Sequence, residues 1–166
     1  MSAHGFSRVA ALVTAVGVFS ADRWSKWMIV SHLGPDDVHR VIPGFFNLVH
    51  SENPGIAFSM FADTTSPWHT PILILFSVLA VSILAAMLWK IDRLDRFSAI
   101  GLALIFGGAV GNLYDRIRVG SVTDFLDFYV QSYHWYIFNV ADSAVCTGAG
   151  LLILSMFFTR QQEANG

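Results

Sequence analysis

The polarity pattern divides the chain into long apolar stretches separated by polar connections of unequal length. Each stretch is long enough, or nearly so, to cross a bilayer as a helix, which takes roughly 20 mostly apolar residues. The pattern therefore predicts one integral membrane domain, residues 1–166, that crosses the bilayer as four helices. The predicted spans cover about residues 8–30, 68–89, 97–114 and 138–158.

The connections predict which side of the membrane each end of the chain faces. Segments 31–67 and 115–137 are long, whereas the loop between the second and third spans is short and carries Lys90, Arg93 and Arg96. Basic residues concentrate in short cytoplasmic loops. We therefore expect both termini in the cytoplasm and both long segments on the outer face, where functional residues should lie.

The two outer segments have different patterns. In the first, the residues on either side of Asn53, Pro54 and Gly55 favour two short strands joined by a turn, lying on the membrane surface or against the helices. In the second, GSVTDFLDFYV sets Asp124 and Asp127 among apolar residues, as a helix or an extended chain near the membrane surface. For Asp127 taken alone, the pattern favours a solvated loop acid.

Composition agrees with a membrane protein and removes several other classes. The chain is 54% hydrophobic and 13% charged, and its mean hydropathy is +0.55. Soluble domains carry about twice that share of charge. A net charge of −2 without a basic run gives no indication of nucleic acid. A single cysteine, Cys146, excludes an intrachain disulfide, and no spacing typical of metal ligands occurs, so neither metal nor cofactor is predicted.

Polar side chains inside predicted spans are rare and are functional candidates by default. Asp22 and Lys26 are four residues apart and share a helical face, which favours an ion pair. Alternatively, Lys26 extends to the outer interface. Asn112 and Arg116 are also four apart, and Asp115 is either the counter-ion of Arg116 or a helix-end group.

The stretch FNVADS places an amide and an acid at the start of the fourth span. Asn139 is a favoured helix N-cap, and Asp142 three positions later resembles the acid of a capping box. Capping alone would explain both residues. Equally, Asp142 is one of several acids predicted at the outer boundary of the membrane, where two carboxylates brought together can share a proton. The acids at that level are Asp22, Asp115, Asp124, Asp127 and Asp142.

Such a pair suits an aspartic peptidase, because one ionised carboxylate activates water while a neutral one polarises a carbonyl. Spacing alone does not select the two partners. A small proton-coupled transporter that uses intramembrane Asp, Asn and Arg is the alternative function. A third hypothesis is a non-catalytic lipid-binding protein in which Asp142 only caps its helix.

Five blocks, in order along nearly the whole chain, resemble those of the lipoprotein signal peptidases, also called signal peptidase II. They are DRWSK (Asp22–Lys26), NPGIAFS (Asn53–Ser59), GGAVGNLYDR (Gly107–Arg116), GSVTDFLDF (Gly120–Phe128) and FNVADS (Phe138–Ser143). The resemblance implies an all-α polytopic protein of the bacterial inner membrane. Its four transmembrane helices carry a small extracytoplasmic β-cradle and a periplasmic helix or flap after the third span.

The resemblance also implies an activity and a site. The activity is removal of signal peptides from prolipoproteins before a diacylglyceryl-modified cysteine, so these precursors and membrane lipid are the expected partners. The oligomeric state stays open, and a monomer is compatible with the sequence. Asp124 and Asp142 match the catalytic pair. Arg23 and Ser25 depart from the glutamine and threonine expected in the first block. The residues expected to support the site or bind substrate are Asp22, Lys26, Asn53, Gly55, Asn112, Asp115, Arg116 and Asn139.

Overall fold

A computed structural model describes residues 8–35, 37–55 and 68–164 of the chain. Within these ranges it contains four long helices and one antiparallel sheet of four strands. The sequence predicts an all-α protein with only a small β-cradle, whereas the structure contains a sheet of four strands. In chain order the elements are α1 (Arg8–His32), β1 (Val38–Ile42), β2 (Phe46–Asn53), α2 (His69–Trp89), α3 (Arg96–Arg118), β3 (Val122–Val130), β4 (Tyr133–His134) and α4 (Val140–Ala164).

Three of the described helices are long and apolar enough to cross a membrane: α2, α3 and the Val140–Phe158 part of α4. Helix α1 has 25 residues, which is also sufficient length. Its C-terminal half, however, carries Asp22, Arg23 and Lys26, and these charges keep it out of the set defined by composition. The described part of the chain therefore contains four long helices and three candidate spans.

The sheet has the order β1-β2-β3-β4, and every neighbouring pair is antiparallel. Strands β1 and β2 are joined at Pro43 and Gly44, where Gly44 has φ +83° and Phe45 N–H donates to Ile42 O at 3.0 Å. This is the pattern of a type II turn, which favours Pro followed by Gly. Strand β2 ends at Asn53, where the sequence predicts a turn, and Gly55 N–H donates to Asn53 Oδ1 at 2.9 Å.

In the second long segment the sequence allows either a helix or an extended chain. Residues 119–139 contain no helix, so the extended alternative is confirmed. Strand β3 pairs with β2 along most of its length and continues into the short strand β4. The strand that was expected to follow Asn53 lies outside the described residues.

Helix α3 is central and packs against each of the other three helices. Small residues permit its close contact with α4, because Gly101 faces Gly148 backbone to backbone and Gly108 lies against Ala141. On its other side, Gly107 contacts the backbone of Ala15 on α1. Small residues at such crossings are typical of helix association in membranes.

Substitution of Gly148 tests this packing. A Cβ at Gly148 would lie 2.7 Å from Ile105 Cγ1, whereas a Cβ at Gly150 would have no atom within 4 Å. Both Gly→Ala changes alter helix propensity equally, so the difference between them reports the steric clash. We expect Gly148→Ala to be less stable than Gly150→Ala by about 1–3 kcal/mol in detergent unfolding. Equal unfolding midpoints would contradict the close contact.

Candidate active site

Polar side chains from five elements converge at one end of the helices, where α1 and α3 end and α4 begins. All the site residues proposed from the sequence lie in this cluster, Gly55 through its backbone. Asp22 and Lys26 come from α1, Asn53 from the end of β2, Asn112, Asp115 and Arg116 from α3, Asp124 from β3, and Asn139 and Asp142 from the start of α4.

Asn139 and Asp142 form a reciprocal capping box at the start of α4. Asp142 N–H donates to Asn139 Oδ1 at 2.9 Å, and Asn139 N–H donates to Asp142 Oδ2 at 3.3 Å. The capping interpretation is therefore confirmed, with aspartate in the position that glutamate usually occupies. The cap uses only Oδ2 of Asp142. The other carboxylate oxygen, Oδ1, accepts a hydrogen bond from Asn112 Nδ2 at 2.8 Å.

Asp124 is buried on β3 and accepts a hydrogen bond at each oxygen. Asn139 Nδ2 donates to Oδ1 at 2.7 Å, and Asn53 Nδ2 donates to Oδ2 at 3.0 Å. Asn139 thus bonds to both carboxylates. Its side-chain nitrogen donates to Asp124, and its backbone N–H donates to Asp142. Capping of α4 and the approach of the two acids therefore depend on the same residue.

The environment of Asp124 favours its protonated form. The pKa of Asp124 is raised from 3.8 to about 7, and burial, which disfavours the charged form, is the largest cause. The hydrogen bond from Asn53 lowers the pKa, while the negative charge of Asp142 raises it. The two acids therefore interact electrostatically, and the pair retains a proton near neutral pH.

A buried ion-pair cluster lies behind the pair, between α1 and α3. Lys26 is 2% exposed, and its ammonium lies 3.0 Å from Asp22 Oδ2, 2.6 Å from Asp115 Oδ2 and 3.1 Å from Asn112 Oδ1. The predicted Asp22–Lys26 pair is thus present, and Lys26 does not extend to the interface. Arg23 also pairs with Asp115, a contact that nothing in the local sequence indicates. The ion-pair partners of Asp115 are therefore on α1.

Arg116 connects α3 to the end of β2. One guanidinium nitrogen, Nη2, donates to Gly55 O at 3.1 Å, and Gly55 N–H in turn donates to Asn53 Oδ1 at 2.9 Å. Asn53 is thereby fixed at its oxygen by Gly55 while its nitrogen bonds to Asp124. This chain of contacts orients the amide that holds one of the two acids.

The two aspartates face a common cavity of about 420 Å³. Its lining combines polar groups with aromatic and aliphatic side chains, as expected for a substrate with an extended apolar part. Among the described residues, no group of three His, Cys, Asp or Glu side chains is arranged to hold a metal ion. The lining residues are Asn53, Asn112, Arg116, Val122, Asp124, Trp135, Tyr136, Ile137, Phe138, Asp142, Ser143, Val145 and Cys146.

Asp127 contradicts its sequence interpretation. It is 3% exposed rather than solvated, and its carboxylate accepts hydrogen bonds from Asn47 on β2 and His134 on β4. Asn47 and Asp127 are cross-strand partners in the β2–β3 register. Only the strand register could have revealed this burial, and the local sequence does not contain it.

A membrane-embedded α-helical protein with two interacting carboxylates over one cavity has the arrangement expected of a membrane peptidase that uses an acid pair. The sequence model described as Signal peptidase (SPase) II matches residues 14–158. The chain belongs to the signal peptidase II family and is therefore an aspartic peptidase.

Individual relatives agree with this assignment. The chain is 50% identical to the lipoprotein signal peptidase of Solibacter usitatus over 89% of this chain and 90% of that protein. It is 38% identical to the lipoprotein signal peptidase of Geobacter metallireducens over 95% of each chain. It is also similar to a solved bacterial membrane enzyme, with a TM-score of 0.80 and 27% identity over 92% of this chain and 90% of that one.

The raised pKa of Asp124 predicts a pH-dependent stability. Between about pH 4 and pH 7 the unfolded chain has released this proton while the folded protein still holds it, so stability falls as pH rises, with a limiting slope of about 1.4 kcal/mol per pH unit. Asp124→Asn removes the titrating group, so its stability should decline less over this window. Unfolding midpoints from pH 4 to 8 measure the difference.

The matched control is Asp37→Asn, which removes an exposed acid outside the cavity. Its midpoints should follow the wild-type curve. Parallel curves for wild type and Asp124→Asn would contradict a raised pKa at Asp124.

Proposed function

We propose that this protein removes the signal peptide from prolipoproteins that carry a diacylglyceryl group, cleaving before the lipidated cysteine. Asp124 and Asp142 are the catalytic pair. The observation that carries the proposal is the arrangement of these two acids, which line one cavity and are bonded to the same residue, Asn139. The curated relatives named lipoprotein signal peptidase support the substrate class.

In the proposed mechanism the pair begins with one proton. The ionised carboxylate takes a proton from water, and the oxygen of that water bonds to the scissile carbonyl carbon while the neutral carboxyl stabilises the carbonyl oxygen. The pair then delivers a proton to the amide nitrogen as the C–N bond breaks, which returns it to its starting state. The raised pKa of Asp124 supports a singly protonated pair near neutral pH.

The supporting residues orient the pair. Asn53, Asn112 and Asn139 each donate an amide hydrogen to a catalytic carboxylate, which fixes the rotation of both acids. Such preorganisation matters because small displacements of reacting groups reduce rates strongly. Arg116, which lines the cavity beside both acids, would contact the substrate backbone.

Helix α1 is proposed as the fourth transmembrane span. Its charged residues Asp22 and Lys26 are buried against other helices, so they do not face lipid. Its exposed residues are largely apolar, and two tryptophans near the outer end fit an interfacial belt. These exposed residues include Val9, Leu12, Val13, Val16, Trp24, Trp27 and Val30.

This arrangement completes the proposed topology of a single peptidase domain in the bacterial inner membrane. The basic loop between α2 and α3 lies in the cytoplasm with both termini, and the sheet and acid pair lie at the periplasmic face. A substrate held by acyl chains would reach the cavity from the bilayer. The apolar residues that line the cavity, which include Trp135, Ile137 and Val145, suit entry of the substrate from the bilayer.

Single substitution of the two acids tests the mechanism. Asp124→Asn and Asp142→Asn should each lower cleavage of a diacylglyceryl-modified precursor by about a hundred- to ten-thousand-fold, because each removes an acid–base group. Cleavage by the purified protein is the measurement, and the unfolding midpoint confirms that each variant is folded. Asp37→Asn is the control and should retain activity.

Two results would contradict this mechanism. Near-normal cleavage by either folded variant would exclude that acid from catalysis. Ion flux in proteoliposomes that is lost in the same variants, without any peptidase activity in the wild type, would instead favour a transporter.

The proposed topology predicts the behaviour of alkaline phosphatase fusions, which are active only outside the cytoplasm. A fusion in the loop between α1 and β1, at Asp37, should be active, whereas one at the C-terminus should be inactive. A fusion between α2 and α3 serves as a second cytoplasmic position and should also be inactive. Activity at the C-terminus would show that α1 or another helix does not span.

A further inference from the structure

A second polar cluster crosses the sheet and has no part in the proposed acid–base chemistry. Asn47 Nδ2 donates to Asp127 Oδ2 at 2.8 Å, and His134 Nδ1 donates to Asp127 Oδ1 at 2.8 Å. Asp127 is 3% and Asn47 5% exposed. Since a buried carboxylate is costly unless it is hydrogen-bonded, these two contacts connect three neighbouring strands at one point.

His134 immediately precedes residues Trp135–Ile137, which line the catalytic cavity. We call this segment the aromatic wall. It has no regular secondary structure, and Trp135, Tyr136 and Ile137 all line the cavity. The position of the wall therefore depends on how its two ends are attached.

The far end of the wall is attached through backbone. Phe138 N–H donates to Leu126 O at 3.2 Å, and Phe138 O accepts from the amides of Phe125 and Leu126. This bridge leads directly into the capped start of α4. The C-terminal end of the wall is thus fixed by the main chain of β3.

The near end is also attached through backbone, because Trp135 N–H donates to Phe128 O at 2.8 Å, but the strand before it, β4, comprises only Tyr133 and His134. The side chain of His134 adds two contacts there. Its ring stacks on Tyr129, with centroids 4.9 Å apart and planes inclined by 8°, and its Nδ1 bonds to Asp127. Asp127 is itself held by Asn47, so the near end of the wall is joined to β2 as well as to β3.

We propose that Asp127 is a positioning residue for the peptidase reaction, which acts through His134 to hold the aromatic wall against the cavity where substrate binds. The inference rests on the proposed function, since it assigns the cavity to the substrate. Asp127 makes no contact with either catalytic acid in the described structure. Its effect is on substrate binding rather than on proton transfer.

Two substitutions at position 134 separate the hydrogen bond from the stacking. His134→Phe keeps a ring that can stack on Tyr129 but removes the donor to Asp127. His134→Asn places an amide nitrogen near the position of Nδ1 and so restores the donor. The β2–β3 backbone pairing is unchanged in both, so the sheet should fold in each variant.

For His134→Phe we expect KM to rise about tenfold, the scale of one hydrogen bond to a charged group. The kcat and its pH profile should stay close to wild type, because the acid pair is untouched. His134→Asn should return KM to near the wild-type value. A fall in kcat with unchanged KM, alike in both variants, would indicate only a loss of folded protein and would overturn the proposal.

Amide hydrogen exchange provides a readout that needs no peptidase activity. Trp135 N–H, at the start of the wall, donates to Phe128 O at 2.8 Å. Displacement of the wall in His134→Phe should accelerate exchange of this amide, while His134→Asn should exchange at the wild-type rate. Equal exchange rates in all three proteins would overturn the proposal. An inactive wild type would instead contradict the proposed function, and the exchange rates would still decide whether His134 holds the wall.

Discussion

The buried ammonium of Lys26 is the interaction on which the arrangement of the helices depends. A charge among apolar helices is tolerated only where partners surround it. The three partners of Lys26 are Asp22 on its own helix and Asn112 and Asp115 on α3, so α1 can pack on α3 in only one register. Asp22 then accepts from the amide of Ala141 in the first turn of α4. One lysine thereby fixes three helices at the level of the site.

The same contacts set the orientation of an amide beside the acid pair. Lys26 has only hydrogens to donate, so it bonds to the oxygen of Asn112. The nitrogen of that amide must then face the other way, and it donates to Asp142. If Asn112 were reversed, its oxygen would oppose a carboxylate oxygen and its nitrogen would oppose the ammonium. Charge pairing between α1 and α3 therefore determines one hydrogen bond of the Asp142 carboxylate.

Contacts within one helix turn could be predicted from the sequence, and contacts between distant segments could not. The Asp22–Lys26 pair and the Asn139–Asp142 cap follow from helical spacing, because α-helix geometry brings such positions together. The meeting of Asp124 and Asp142 was implied by family resemblance alone. Burial of Asp127 was missed because it requires β3 to pair with β2, and the cross-strand partners Asn47 and Asp127 are 80 positions apart.

The Arg23–Asp115 pair joins residues 92 positions apart, and no local pattern specifies it. The number of membrane spans is hard to predict from the sequence for a different reason. Composition treats every charge in α1 as facing lipid, yet the buried positions of Asp22 and Lys26 show that these charges face protein. Whether a charged helix can cross a membrane is decided by its packing, which hydropathy along the sequence does not contain.

The two acids are held by different kinds of structure, and this difference bears on their chemistry. Asp142 belongs to the cap of a helix, where its position follows from local backbone geometry. Asp124 belongs to a strand, and its pKa is raised mainly because β3 and its neighbours remove it from water. The acidity of Asp124 thus depends on how closely the sheet covers the ends of the helices. A sheet displaced from the helices would admit water and lower that pKa, so the sheet influences the protonation of Asp124 as well as the shape of the cavity.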